Sequence, residues 1–142
     1  MTGKFKATTI TRTGTSGGTL DITLIPTSLF DQVAAGLGLT PNPDAGVVSV
    51  DFYAAMPIDG GFGASLNLAH DRTFTVTAGV PAYADAGTAG PGNGNSLIFP
   101  NAATGTTGVM FYPPSGYSCT LPPPTTIRVD PDTFTYVLAV CQ

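Results

Sequence analysis

The residues able to do chemistry are few, and they stand apart. His70 is the only histidine, in "AHDR" between Ala69 and Arg72. Any general-base or metal role would rest on it alone. Asp71 and Arg72 beside it do not make a triad, because neighbours in an extended chain point to opposite faces. The sequence reads them as a polar cluster at a strand end. Ser65 lies in "GASLN", which lacks the second glycine and the strand-to-helix setting of a nucleophile elbow. Aspartates come close together in "DPD" (130–132) and beside glycines in "DGG" (59–61), but neither follows the spacing of a calcium loop. Turn-forming aspartate explains both without a metal. "GPGNGN" (90–95) is glycine-rich without the lysine of a phosphate loop, and no lysine follows position 6. The expectation is a protein that is not an enzyme, with no cofactor and no metal.

Cys119 and Cys141 are the two cysteines. Neither belongs to a CxxC motif, and one histidine cannot complete a zinc site with them. They are read either as small buried hydrophobes in adjacent strands or as a disulfide tying the C-terminal strand to the segment before it.

Composition narrows the setting. Charged residues are 10 % of the 142 residues, against about 25 % in ordinary domains. There is no Glu and no Trp, and all nine acidic residues are Asp. Hydrophobic residues are 42 % and the net charge is -4, which excludes the low-hydrophobicity, high-charge pattern of disorder. No apolar run approaches the roughly 20 residues of a membrane span. Nucleic acid is excluded as a partner, since five dispersed basic residues against nine acidic ones form no basic stripe. A folded surface of Thr, Ser, Asn, Gly and Ala suits a protein packed against neighbours or working outside the cell.

Period-two alternation must position these groups. "KFKATTITR" (4–12) and "TLDITLI" (19–25) read as a hairpin around a glycine turn. One short helix is expected near 28–36, with Ser28 as N-cap, Asp31 three residues on, and Gly36 or Gly38 as terminator. "VVSVDFYAAM" (47–56) is a strand with Val48, Val50 and Phe52 opposite Ser49, Asp51 and Tyr53. A weak strand falls around 65–69, and "RTFTVTAGV" (72–80) directs Phe74, Val76 and Ala78 inward with threonines outward. A long Gly-rich loop (83–108) carries an apolar island, Leu97-Ile98-Phe99-Pro100, read either as a short core strand or as an anchor for a neighbour. Short strands follow at 108–112 and 116–121. Residues 125–140 form a last hairpin with Pro131 second in a type I turn. About eight short strands at this spacing predict an all-β fold, a single-domain antiparallel β-sandwich or barrel over 1–142, with a jelly roll among the arrangements allowed.

Lys4, Lys6 and Arg12 make residues 1–12 basic while the remainder is acidic. This reads either as an edge strand blocked by lysine or as an arm reaching a neighbouring subunit. The candidate subunit interface is therefore Lys4, Phe5, Lys6 and Arg12 together with Leu97, Ile98 and Phe99. "MTGKFKATTITR" has no apolar stretch after its lysines, so the expectation is synthesis in a host cytoplasm without a signal peptide and exposure later, on a virion surface. The functional expectation is an accessory structural virion protein, a small capsid cement or decoration protein that binds several shell subunits and forms a homo-oligomer, with a trimer favoured. The alternatives are a tail or spike subunit, or a secreted or cell-surface β-sandwich binding glycan through Phe62, Tyr83, Phe111, Tyr112 and Tyr117.

Overall fold

The computed structural model describes residues 7–11, 27–54, 61–77, 80–84, 96–121 and 125–142. Lys4, Phe5, Lys6, Arg12, the expected arm at 19–25 and the glycine-rich stretch at 87–95 lie outside the described residues. Among the described residues ten strands and one helix run in the order β1 (Ala7–Thr11), α1 (Thr27–Gly36), β2 (Gly46–Ala54), β3 (Gly63–Leu66), β4 (Phe74–Thr77), β5 (Val80–Tyr83), β6 (Ser96–Ala102), β7 (Gly105–Tyr112), β8 (Cys119–Thr120), β9 (Thr126–Val129) and β10 (Thr133–Cys141).

These strands make two sheets. The large one has the order β1-β10-β2-β6-β4-β5, with β8 also on β10, and the small one has the order β3-β7-β9. They pack as a sandwich. Val48, Val50, Phe52, Leu97 and Phe99 of the large sheet meet Ala64, Leu66, Ile127 and Val129 of the small one, all buried. Helix α1 forms a third layer on the other face, where Phe30 and Ala34 cover Val47 and Phe134. Among the described residues no barrel closes.

Two features depart from an antiparallel sandwich. β1, β10 and β2 are mutually parallel, which excludes a jelly roll. Residues 125–140 are not a hairpin either: β9 pairs with β7 while β10 enters the other sheet. The reason is occupancy. β10 has β2 along one side and β1 then β8 along the other, so neither edge is left for β9. The corner between β9 and β10 places Asp132 at φ 51°, where a type I turn needs about −90°. It is tied by Thr133 Oγ1 donating to the Asp130 carbonyl at 2.7 Å and by the Asp132 N–H donating to Ala45. Gly46 sits beneath this corner. A Cβ there would meet Val129 Cγ1 at 2.6 Å and the Asp130 carbonyl oxygen at 2.7 Å, so only glycine lets β2 pass.

The helix begins at Thr27, so Ser28 lies within its first turn rather than ahead of it. Its end is a Schellman motif. Gly38 is at φ 68°, the Leu39 N–H reaches the Ala34 carbonyl and the Gly38 N–H reaches Ala35. Leu39 then packs with the helix-side core.

Within the expected long loop, the described residues 96–102 and 105–108 are strand. Leu97 and Phe99 are buried in the sandwich as part of β6, the strand between β2 and β4. Ile98, on the opposite face, packs against the helix-side core. The apolar island is thus a core strand and not an interface peg, because period-two alternation gives it a buried surface on both sides. β4 departs from expectation in the same way. Thr75 lies opposite Leu97 toward the sandwich core and Phe74 opposite Ile98, with both side chains buried. Among the described residues Thr75 Oγ1 has no hydrogen-bond partner.

Candidate functional site

The loop from β3 to β4 carries His70, Asp71 and Arg72, and the structure sends them to three different places. His70 Nδ1 lies 2.7 Å from the Asp71 carbonyl oxygen. A carbonyl only accepts, so Nδ1 holds the proton and donates. The imidazole stands edge-on to Phe99, with centroids 5.0 Å apart. The Asp71 carboxylate accepts from Asn101 Nδ2 at 2.7 Å. Arg72 lies over the Tyr83 ring, its guanidinium carbon 4.2 Å from the centroid. Tyr83 in turn donates to the Leu37 carbonyl at the end of α1. Ser65, on β3, pairs with Tyr112 instead. Each of these groups is therefore engaged in holding loops and elements together.

The aspartates of the DPD corner follow the same logic. Asp130 is held by Arg128 at 2.8 Å. Among the described residues no group of three or more His, Cys, Asp or Glu could hold a metal ion.

Asn101 is a site that sequence reasoning missed. Gly46 lies opposite Ala102 and Val48 opposite Phe99, so Pro100 and Asn101 together oppose Val47 in a β-bulge. The bulge accommodates a proline inside a sheet and puts Asn101 at φ 49°, a conformation asparagine tolerates. Its side chain is thereby aimed across two loops. Oδ1 accepts from the Asn42 N–H at 2.9 Å, while Nδ2 donates to the Thr40 carbonyl at 2.8 Å and to Asp71. The only sequence signal was a proline within a strand-like run. Asn101→Ala is expected to lower stability by about 2 kcal/mol, the net worth of three partly exposed hydrogen bonds plus the strain of alanine at positive φ. Asn101→Gly should lose less, since it keeps the backbone geometry; equal losses in urea denaturation would show that φ carries none of the effect.

Among the described residues two sheet faces carry large exposed hydrophobic side chains. On the large sheet, beyond the helix, Tyr53 is 61 % exposed. Asp51, on the same side of β2, accepts from Tyr136 Oη at 2.6 Å and from Ser49. Burial, then the Asp51 hydrogen bond and charge, hold the Tyr136 phenol protonated well above its ordinary range. On the small sheet, alternation along β7 turns Val109 and Phe111 toward the core while Met110 and Tyr112 face out, each 52 % exposed. Tyr112 lies opposite Gly63, whose missing side chain lets the phenol reach Ser65 Oγ at 3.1 Å and Met110 Sδ at 3.2 Å. Thr106, Gly108 and Thr126 extend this surface, and its one charge among the described residues, Arg128, is paired to Asp130.

Of the five aromatics proposed from sequence to stack on sugars, Tyr112 alone is exposed. Phe62 is buried, Phe111 and Tyr117 pack into the core cluster, and Tyr83 is committed to Leu37 and Arg72. Cys119 and Cys141 form a disulfide joining β8 to β10.

No protein-family model matches the chain, and no curated protein sequence does. Among solved structures it is similar to a pilus-presented adhesin, at 14 % identity with a TM-score of 0.39. The similarity covers 70 % of this chain and 27 % of that one, so the chain spans about a quarter of the adhesin's length.

Proposed function

We propose that this domain is a structural module on the outside of a virion, a shell-decorating subunit that attaches through a sheet face poor in charge and does no chemistry of its own. The observation that carries the reading is the outer face of the small sheet. Met110 and Tyr112 stand half exposed among serine, threonine and glycine, with no unpaired charge described on that face. Such a surface needs little desolvation to dock, and tyrosine and methionine are over-represented in interface cores. The Cys119–Cys141 disulfide fits a protein exposed to oxidising surroundings, as virion and cell surfaces are. His70, Asp71 and Arg72, the side chains best suited to catalysis, are engaged in fold-holding contacts. The partners in this reading are shell subunits, bound several at a time by copies of the module in a homo-oligomer, a trimer first among them.

The test is co-sedimentation of the purified protein with bare shells. Stoichiometric binding is expected. Tyr112→Ala should weaken it about tenfold or more, as a central aromatic anchor does, while lowering stability by only about 1 kcal/mol, the worth of its cross-strand contacts. Binding unaffected by Tyr112→Ala would remove this face from the interface. A second reading, a surface module that binds glycan, draws on the exposed rings of Tyr53 and Tyr112. Glycan-array binding without shell binding would favour it.

A further inference from the structure

The outer edge of β10 is shared by two short strands. β8 pairs at Val140 and Cys141 and is covalently held there by Cys119–Cys141. β1 pairs in parallel from Thr133 to Val137, with Ala7 opposite Thr133 and Thr11 opposite Val137. Among the described residues β10 is the one strand that β1 pairs with. The edge of β10 is thus a five-residue slot, bounded by a corner at Asp130–Asp132 and by the clamped β8. Left empty, it would expose backbone donors and acceptors on a central strand, the condition that recruits an added strand.

Chain length and charge say what can fill it. About 15 residues, 12–26, separate β1 from α1, and a chain of that length reaches up to about 50 Å. A domain of this size is only about 35–40 Å across. A strand tethered to one copy therefore reaches the slot of another. The sequence flanking β1 holds Lys4, Lys6 and Arg12, three of the five cations. At the corner beside the slot Asp130 is already paired with Arg128, but residues 13–142 as a whole carry nine Asp against two Arg. The flanks of the strand and the body it joins are therefore opposite in sign, and strand and slot match in hydrogen-bonding register.

We propose that this slot is a joint between copies of the chain, with β1 of one copy pairing on β10 of another at Thr133–Val137. Closed and exchanged forms contain the same strand pairing, so tether entropy and concentration decide between them. A short tether holds its strand at an effective concentration of about 1 mM, so the closed form dominates in dilute solution and exchange takes over where copies crowd on a surface. The proposal holds whether that surface is a shell or a cell.

The experiment uses full-length chains. An Ala7→Cys preparation is mixed with a Thr133→Cys preparation at about 1 mM, the tether's own effective concentration, and treated with a short bis-maleimide. The bonded Cys119 and Cys141 do not react. A covalent mixed dimer is expected, its yield falling on dilution to micromolar protein. Ala7→Cys mixed with Thr106→Cys should give none. The single-chain double variant should cross-link within the monomer when dilute. Absence of the mixed dimer at high concentration, while the double variant closes on itself, overturns the exchange. Failure of the double variant to close also overturns it, because β1 would then not occupy the slot. Shell binding is measured separately, so the two readings can fail independently.

Discussion

Truncating Phe62 to alanine is expected to cost about 3–5 kcal/mol, a large part of the roughly 5–15 kcal/mol that holds a domain of this size. Phe62 is 1 % exposed and lies just before β3, where the two sheets meet. Its ring is 5.5 Å from Phe52 on β2 and 5.2 Å, edge-on, from Tyr117 in the segment between β7 and β8. Phe52 in turn meets Phe111 of β7 edge-on at 6.1 Å. Alanine would remove both ring contacts of Phe62 and leave a cavity among strands whose hydrogen bonding resists collapse. Urea denaturation should show a lower midpoint with an unchanged slope, the sign of lost stability in an unchanged fold. A loss below about 1.5 kcal/mol would mean that Tyr117 and Phe111 move in to fill the space.

Replacing both cysteines, Cys119→Ala with Cys141→Ala, should lower stability by about 3 kcal/mol and the midpoint of thermal unfolding by about 10 °C. The bond closes a loop of 22 residues that contains β9 and β10, so its absence gives the unfolded chain more freedom. The folded site suits the bond. The Ser118 and Gln142 backbones exchange hydrogen bonds at 2.8 and 2.9 Å, which makes the neighbouring Cys119–Cys141 pair the narrow one, with Cα atoms 4.1 Å apart. β8 has only two residues of its own, and besides the bond it is kept on β10 by the Ser118–Gln142 backbone pair and by Tyr117 and Leu121 packing against the core. Reduced wild-type protein should unfold at the same temperature as the double variant. A difference of several degrees would mean that the buried Cys141 thiol, and not the cross-link, carries the effect.

Much of the sheet was legible in the chain itself. Alternation placed Val48, Val50 and Phe52 on the core side of β2, with Ser49, Asp51 and Tyr53 on the other, because side-chain direction in a strand is set by local geometry. The helix was legible for the same reason, with Gly38 marking its left-handed end. Alternation failed where a strand is covered on both faces. In β4 threonine turns to the sandwich core and phenylalanine to the helix side, a choice set by the partner Leu97–Ile98 register and not by hydrophobicity.

The candidate surface was half legible. Tyr112 stood among five aromatics of equal standing, and only packing removed the other four from the surface. The Asn101 clamp was invisible, because it depends on a bulge that exists only when β6 lies beside β2. By itself, then, the sequence determined a β-rich fold of low charge with few groups free for chemistry, all properties of residue type and short-range spacing. Tertiary structure alone decided that β9 and β10 part between sheets, that β1 lies parallel in the β10 slot, and that Leu97 and Phe99 turn inward. Those outcomes turn on which edges are already occupied, and edge occupancy is set by segments far apart in the chain.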